Sequence, residues 1–184
     1  LVENQFQTTI KVLRTDGAAE FHKSSFTSLI HSSGIHHQKP CPHTSQQNGV
    51  AERKHIHIID TGLTLLSRSS LPPNFWYYAF ATSVYLINRL PSITTAYTSP
   101  YELLFHIPPS YNLLKVFGCA CYPLLRPYNR NKLQPRSTQC IFLGYPLNYK
   151  GYLCFDFSNN KLLTSRHVLF DEHLFPAVTA FRKP

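Results

Sequence analysis

Methionine is absent from the 184 residues, and tryptophan occurs only once. The chain starts at Leu1-Val2-Glu3-Asn4, which is neither an initiator methionine nor the basic and apolar beginning of a signal peptide. We therefore expect a segment of a longer protein. A run of ~20 apolar residues, the length of a bilayer span, is also lacking. Polar residues interrupt even the stretch from Phe75 to Leu90, so we expect no membrane span.

Acidic residues are few, since 9 Asp and Glu stand against 18 Lys and Arg, for a formal charge of +9. This excess favours polyanionic partners, either nucleic acid or an anionic membrane surface, and charge alone does not choose between them. Hydrophobic residues make up 43% of the chain, enough to bury the core of one ordinary domain or two small ones.

The closely paired cysteine motifs of zinc sites are missing. The count of five is odd, and without a secretory signal it predicts reduced thiols in an intracellular compartment. Four of them, Cys119, Cys121, Cys140 and Cys154, lie in strand-like segments without the C-x₂-C spacing that zinc requires. We interpret these four as buried small hydrophobic residues, with a metal site as the alternative.

The first forty residues predict a strand, a helix and a second strand. The segment Thr9–Arg14 is β-branched and apolar and stops at Asp16-Gly17, which places a carboxylate at the carboxyl end of a strand. A helix is expected over 20–33 with Gly34 ending it, followed by a short strand over 35–38. Residues 40–49 combine Pro, Gly and polar side chains and predict a loop.

The clearest helix follows that loop. Ile56, Ile59, Leu63 and Leu66 recur at steps of three and four, so they share one face, and one turn further back this face reaches Glu52. An acidic residue near a helix N-terminus ordinarily faces water. A carboxylate on the inward face needs a partner, and a metal ion would serve.

The remaining chain predicts one more helix and then strands. A helix is expected over 74–88 and closed by Pro91, and residues 92–111, with a short helix at 101–105, form a connection. Four short aromatic or β-branched runs separated by turn residues then predict a small β-barrel. These runs are 116–122, 139–145, 151–156 and 165–170.

Thirty-five residues separate Asp16, at a strand end, from Glu52, at a helix start. Two-metal phosphodiester chemistry uses clustered carboxylates to hold cations ~3.5–4 Å apart, and hard oxygen ligands suit Mg²⁺ or Mn²⁺. The alternative for Asp16 is a turn-forming residue before Gly17.

Two motifs carry a resemblance to a known family: Asp16-Gly17-x-x-Glu20-Phe21, and His43-Thr44-x-Gln46-Gln47-Asn48-Gly49-Val50-Ala51-Glu52-Arg53. With the spacing of 35 residues, they resemble the last two members of the D,D-35-E triad of copia-type integrases, especially those of plant elements. Later segments resemble the helices and the SH3-like domain that follow in that family. These are Leu71-Pro72-x-x-Phe75-Trp76, Tyr85-Leu86-Ile87-Asn88-Arg89-Leu90-Pro91, Ser99-Pro100-Tyr101-Glu102-Leu103-Leu104, Val116-Phe117-Gly118-Cys119, Cys140-Ile141-Phe142-Leu143-Gly144-Tyr145 and Ser165-Arg166-His167-Val168.

The resemblance implies an RNase H-like catalytic core that trims element DNA ends and joins them to target DNA with divalent metal. By motif position it implies that Asp16 and Glu52 are metal-binding acids. The first acid of the triad would lie further upstream than this chain extends, and of the residues before Asp16 only Glu3 is acidic. Ala18 and Ala19 stand where the family has glycines, which predicts strain if either is forced to positive φ, and Ser45 stands where a proline is common.

Two groups of residues are candidates for DNA contact. Basic residues surround Glu52 and neutral donors precede it, which suits a phosphate backbone, the alternative being a solvated helix face. This group is Gln46, Gln47, Asn48, Arg53, Lys54, His55 and His57. The second group interleaves cations with Tyr122 and Tyr128, the alternative being a solubilising surface. Its cations are Arg126, Arg130, Lys132, Arg136 and Lys150.

Histidines also occur outside these two groups. We interpret His36, His37 and His43 as loop and strand residues, because no Cys or His pair completes a zinc site with them.

The predicted organisation is an α/β chain with a partial RNase H-like core over 1–91, a connection over 92–111, a mostly β SH3-like domain over 112–176 and a tail over 177–184. The resemblance implies DNA partners, both element ends and target, and an oligomeric parent located in the nucleus or in a cytoplasmic virus-like particle. The alternative is a non-catalytic nucleic-acid-binding or assembly module from a degenerate element. We predict that Asp16 and Glu52 lie at the same end of the sheet, and that the chain alone neither cleaves nor joins DNA.

Overall fold

The computed structural model describes residues 2–16, 18–39, 49–126, 131 and 133–181. The chain divides into two compact units, residues 1–56 and residues 57–184. The boundaries predicted at 91 and 112 both lie within the second unit. Throughout the part of the chain that the structure describes, every helix falls short of the combined length and apolar character that a bilayer crossing demands.

The first unit contains a small parallel strand pair. Its elements are α1 (Val2–Phe6), β1 (Val12–Arg14), α2 (Ser24–Ser32), β2 (His36–Gln38) and the first turns of α3 (Gly49–Ser69). Strands β1 and β2 run parallel, with Val12 opposite His36 and Arg14 opposite Gln38. Gly34 ends the α2 segment with a φ of +66°, as predicted, because this left-handed conformation strains residues that carry a Cβ. Strand β1 starts at Val12, later than predicted.

Helix α3 confirms the predicted helix, but its buried face is not the predicted one. The side chains of Ile56 and Leu63 are 55% and 52% exposed. Leu66 belongs to the expected stripe and is buried, but the other buried residues, Gly62 and Ser69, lie outside that stripe, so the buried face is rotated from the predicted one. Gly62 explains the rotation, because a Cβ there would collide with the Phe80 ring. The absence of a side chain, rather than the largest apolar groups, sets the contact face.

The second unit continues with helices α4 (Trp76–Ile87), which follows a 3-10 turn over Pro73–Phe75, and α5 (Pro100–Phe105). The buried face of α4 is built from small residues, namely Ala79, Thr82 and Ser83, together with Ile87. The Ser83 hydroxyl donates to the carbonyl of Phe80 at 2.8 Å and lies 3.2 Å from that of Ile58 on α3. Small side chains therefore let α3 and α4 approach closely.

Five antiparallel strands form the sheet of the second unit: β3 (Ala120–Pro123), β4 (Cys140–Gly144), β5 (Tyr152–Asp156), β6 (Lys161–Ser165) and β7 (Val168–Asp171). Their order is β6-β5-β4-β3-β7. Strands β4 and β5 fall within two of the predicted runs, β3 and β7 extend one residue beyond the other two, and β6 was not predicted. A short helix, α6 (Ala177–Ala180), follows the sheet. Mixed helix and sheet with this antiparallel sheet are compatible with the predicted SH3-like domain.

Strand β4 separates two apolar clusters, because its side chains alternate between the faces of the sheet. Ile141 and Leu143 pack with residues of α3 and α4, such as Leu66 and Ala79. Cys140 and Phe142 point the other way into the second cluster. All four β4 side chains are at most 1% exposed. A strand buried on both faces forms a continuous apolar run, as residues 140–143 do.

Two glycines bring the helices against the sheet. A Cβ on Gly118, which has a φ of +79°, would collide with Ser69 at the end of α3. A Cβ on Gly144, which has a φ of +107°, would collide with the Thr82 hydroxyl of α4. Both positions therefore require glycine for two reasons, the backbone conformation and the close approach.

Candidate functional site

Asp16 follows the end of β1, as the sequence predicted, and its side chain is exposed. Its Oδ1 accepts a hydrogen bond from the backbone N–H of Ala18 at 3.1 Å. One carboxylate oxygen of Asp16 therefore stabilises the turn, as the alternative interpretation predicted. A carboxylate oxygen has further lone pairs, so the group can still bind a second partner. Ala18 has a φ of −64°, and Ala19 is likewise absent from the positive-φ residues, so neither alanine is in the conformation that would strain it.

The residue before Asp16 is tied to β2. The buried Thr15 hydroxyl lies 2.8 Å from His37 Nε2 and 3.0 Å from the Asp16 carbonyl oxygen, to which it donates. Its backbone N–H donates to the Gln38 carbonyl at 3.3 Å. These bonds hold the end of β1, and with it the start of the Asp16 turn, against β2. His36 and His37 are strand residues, as predicted, while His43 lies outside the described residues.

Glu52 lies in the first turn of α3 and is exposed. The argument that this carboxylate shares an inward face with Ile56 is wrong, since Ile56 is itself mostly exposed. Its position near a helix N-terminus is electrostatically favourable for an anion. That Glu52 and Asp16 lie at the same end of the strand pair stays a prediction, as do their catalytic roles.

Asp16 and Glu52 supply hard carboxylate oxygens, the donor type that Mg²⁺ and Mn²⁺ prefer. Among the described residues, however, no group of three His, Cys, Asp or Glu side chains is arranged to hold a metal ion. Glu3 is engaged elsewhere, because its Oε1 accepts the backbone N–H of Ile10 at 3.0 Å. The two acids fit a divalent cation by chemistry, yet they form an incomplete set.

The basic residues next to Glu52 are all exposed on the first turns of α3. They are Arg53, Lys54, His55 and His57. Their side chains are thus accessible to a polyanion, which is what the phosphate-contact hypothesis needs. The neutral donors Gln46, Gln47 and Asn48 fall outside the described residues, as does Ser45.

The second candidate group borders the sheet. Arg126, Arg136 and Lys150 are exposed, whereas Arg130 and Lys132 lie outside the described residues, as does Tyr128. The Leu125 backbone N–H donates to the Arg136 carbonyl at 2.8 Å, which brings the Arg126 and Arg136 backbones together. Tyr122 is half-buried, and its hydroxyl accepts a hydrogen bond from the Gln139 side chain at 3.1 Å. Its side chain is thus engaged in contacts within the sheet.

The four cysteines of the sheet are free thiols with no exposed surface, which confirms their interpretation as buried small hydrophobic residues. Burial, assisted by the nearby carboxylates of Glu172 and Asp171, raises the pKa of Cys119 to about 12. Burial also raises the pKa of Cys140 to about 12. The Cys121 pKa is raised further, first by its hydrogen bond with Cys154 and then by burial. Thiols held neutral in this way are poor nucleophiles and poor metal ligands.

Sequence reasoning missed a cavity of about 500 Å³ in the second unit. It lies between α4 and the turn that joins β4 to β5, and its lining includes Tyr85, Arg89, Tyr149, Lys150 and Arg166. Of these, only Lys150 was a predicted site residue. Arg89 had been noticed only within the Asn88-Arg89-Leu90-Pro91 motif, and nothing in the linear sequence shows that it faces the β4–β5 turn.

The part of the chain that forms the sheet matches a known domain family. Residues 119–183 match the family described as the retroviral polymerase SH3-like domain. This match contains all five strands of the sheet and the short helix after it. The predicted SH3-like domain is thus confirmed as a family relationship.

Similarity to individual proteins extends over nearly the whole chain. Over 97% of its length, the chain is 52% identical to the Retrovirus-related Pol polyprotein from transposon RE2 of Arabidopsis thaliana. Over 96% of its length, it is 51% identical to the Pol polyprotein from transposon RE1 of the same plant. Identity to the Pol polyprotein from transposon TNT 1-94 of Nicotiana tabacum is 38% over 94% of the chain. The chain is therefore similar, over nearly its whole length, to one region of retrotransposon Pol polyproteins. It spans 12–13% of the length of these relatives.

One solved structure with a weak likeness is the cryo-EM structure of a simian T-cell lymphotropic virus intasome in complex with the PP2A regulatory subunit B56 gamma. A chain of that complex aligns with a TM-score of 0.46 and 15% identity, over 87% of this chain and 57% of that chain. A likeness of this size does not establish a shared fold.

Proposed function

We propose that this chain is the part of a retrotransposon integrase that supplies two metal-binding acids and a DNA-binding surface. The parent protein would carry out divalent-metal-dependent polynucleotidyl transfer on element ends and target DNA. The observation that carries the proposal is the similarity to retrotransposon Pol polyproteins over 97% of the chain. The motifs around Asp16 and Glu52, which resemble two members of the D,D-35-E triad, add the chemistry.

The surroundings of the two acids support this role. Asp16 is an exposed carboxylate whose strand end is held by the bonds of Thr15, and Glu52 is an exposed carboxylate in the first turn of a long helix. Both acids belong to the first compact unit, which the proposal interprets as a remnant of an RNase H-like core. When bound, Mg²⁺ or Mn²⁺ would stabilise the attacking and leaving oxygens of the phosphodiester.

The cations on the second unit support DNA binding. Arg126 and Arg136 are exposed, and the Leu125 to Arg136 backbone hydrogen bond keeps their segments adjacent. Neutralised phosphates release counterions, so binding through such residues weakens steeply as salt rises and does not depend on base sequence. With a net charge of +9, the whole chain favours approach to a polyanion.

The test is DNA affinity of the full chain, measured by fluorescence anisotropy at several salt concentrations. Reversing two charges with Arg126→Glu and Arg136→Glu should weaken duplex binding and lower the slope of log K against log salt by about 2. The matched control reverses two exposed lysines elsewhere, Lys11→Glu and Lys161→Glu. Equal losses in both double variants would show that net charge alone acts, and unchanged binding in the first would remove this surface from the proposal.

A further inference from the structure

The cavity between α4 and the β4–β5 turn carries positive charge and aromatic rings together. Its lining residues include three cations, Arg89, Lys150 and Arg166, and none of its lining residues is an Asp or Glu. Among the described residues the one ion pair joins Lys115 to Glu172, so no described carboxylate neutralises these cations. A basic cavity of this kind favours an anionic ligand.

Arg89 is held rigidly in the wall. Its guanidinium carbon lies 3.3 Å from the centre of the Tyr85 ring and 4.7 Å from that of Tyr101. Tyr145 stacks on Tyr85 with ring centres 3.8 Å apart and planes 12° apart, so Arg89 and Tyr145 must occupy opposite faces of Tyr85. Arg89 Nη1 also donates to the Tyr85 carbonyl at 3.1 Å. A fixed, half-buried guanidinium is suited to binding a phosphate through paired hydrogen bonds.

The rim of the cavity carries apolar side chains that are exposed to solvent. Tyr149 is 71% exposed and Leu147 is 89% exposed, both on the turn between β4 and β5. Of the four tyrosines that line the cavity, Tyr85, Tyr145 and Tyr152 are half-buried and packed against other rings, whereas Tyr149 is exposed and is therefore the ring most accessible to a ligand. An aromatic ring beside phosphate-binding cations is the combination that binds single-stranded nucleic acid, where bases stack on side chains.

We propose that this cavity binds one unpaired nucleotide of a DNA strand, with the base against Tyr149 and the phosphate against Arg89, Lys150 and Arg166. The volume of about 500 Å³ is within the range of small-ligand sites. Paired bases are stacked within the duplex and cannot enter, so the site would select single-stranded extensions. This inference rests on the proposed DNA-binding function and adds a preference that the exposed cations alone do not produce.

The experiment compares two DNAs bound by the full chain: a blunt duplex and the same duplex with a short single-stranded extension. The wild type should bind the extended DNA about tenfold more tightly, the effect of one stacked base. Tyr149→Ala should abolish this preference while leaving affinity for the blunt duplex unchanged. The control Tyr97→Ala removes an equally exposed tyrosine outside the cavity and should leave the preference intact.

A second pair of variants isolates the charge. Arg166→Gln should reduce the preference for the extension, whereas Lys161→Gln, which removes an exposed cation outside the cavity, should weaken both DNAs equally. Equal wild-type affinity for the two DNAs would overturn the inference. So would a preference that survives both Tyr149→Ala and Arg166→Gln.

Direct titration separates this site from the proposed function. Calorimetry with thymidine 5′-monophosphate should show binding that Tyr149→Ala weakens, and inorganic phosphate should bind more weakly. This result would support the cavity even if duplex DNA did not bind, in which case only the proposed function would fail. Absence of thymidine monophosphate binding would overturn the nucleotide assignment. So would a chain that binds anionic phospholipid vesicles instead of the nucleotide and loses this vesicle binding with Tyr149→Ala.

Discussion

Single atoms decide the stability of the contact between α4 and the sheet. The Thr82 hydroxyl is buried next to Gly144 and has no hydrogen-bond partner within the part of the chain that the structure describes. The neighbouring Ser83 hydroxyl is buried too, but it donates to the Phe80 carbonyl at 2.8 Å. The Thr82 hydroxyl therefore lowers the stability of the fold, whereas the Ser83 hydroxyl raises it, because a buried polar group costs free energy when its hydrogen bond is missing.

The first prediction is that Thr82→Val raises the free energy of unfolding by about 1 kcal/mol, since valine keeps the shape and removes the unsatisfied hydroxyl. Ser83→Ala should lower it by about 1 kcal/mol through loss of the hydrogen bond. Urea unfolding followed by the fluorescence of the single tryptophan measures both. A destabilising Thr82→Val would mean that the hydroxyl has a partner in solution.

The second prediction concerns the buried thiols in alkaline solution. The pKa values of Cys119 and Cys140 are raised from 9.0 to about 12 in the folded chain. Below pH 9 both states are protonated and this contribution to stability is fully present. Between pH 9 and 12 the unfolded chain loses protons that the folded chain retains, so stability should fall as pH rises.

Urea midpoints measured across this pH range test the thiol prediction. A variant with Cys119→Ala and Cys140→Ala should be less stable at neutral pH, because it leaves cavities, but its stability should fall less steeply above pH 9. An identical slope in wild type and variant would contradict the assignment of the pH dependence to these thiols.

At the scale of elements, hairpin β5–β6 depends on one buried acid. Asp156 Oδ1 accepts the backbone N–H groups of Ser158 and Asn159 at 3.0 and 3.1 Å, and Oδ2 accepts the Asn159 side chain at 2.7 Å. Asn160 then takes a φ of +51°, a conformation that asparagine tolerates. The turn holds the β6 edge strand, the one strand that sequence periodicity did not predict.

The third prediction is that Asp156→Ala lowers the free energy of unfolding by about 2–3 kcal/mol, because three donors lose a buried charged acceptor. Hydrogen exchange should accelerate first along Lys161–Ser165, the strand that the turn holds. Asp171→Ala is the control, since the exposed Asp171 carboxylate accepts the backbone N–H of His173, compared with three donors at the Asp156 carboxylate. If Asp171→Ala lowered the free energy of unfolding as much as Asp156→Ala, the hydrogen bonds of the Asp156 turn would not be the cause of the loss.

The sequence predicted the elements better than their faces. The periodicity of Ile56, Ile59, Leu63 and Leu66 correctly predicted helix α3, yet Ile56 and Leu63 are exposed. Hydrophobic spacing ranks residues by apolar size, whereas the observed contact depends on the missing side chain of Gly62 beside Phe80. Strand β6 was missed for a similar reason, because its residues alternate weakly and its turn depends on Asp156.

At the scale of the whole chain, the fourth prediction is that the purified protein neither cleaves nor joins DNA at a measurable rate. Two-metal catalysis needs a cluster of acids, and among the described residues no three candidate ligands come together. The assay incubates the chain with Mg²⁺ or Mn²⁺ and a DNA substrate, beside the Asp16→Asn, Glu52→Gln double variant. Metal-dependent strand transfer that the double variant abolishes would show that Glu3 or a second chain completes the site.

The sequence by itself determined the resemblance to retrotransposon proteins, most strands and helices of the second unit, and the burial of its cysteines as small hydrophobic residues. These follow from local motifs and from apolar runs that only a sheet buried on both faces accommodates. The tertiary structure decided which face of α3 is buried, where Gly144 meets Thr82, and that Arg89 and Tyr149 line one cavity. Residues 89 and 149 are far apart along the chain, and only the packing of α4 against β4 makes them neighbours, so no local pattern records their proximity.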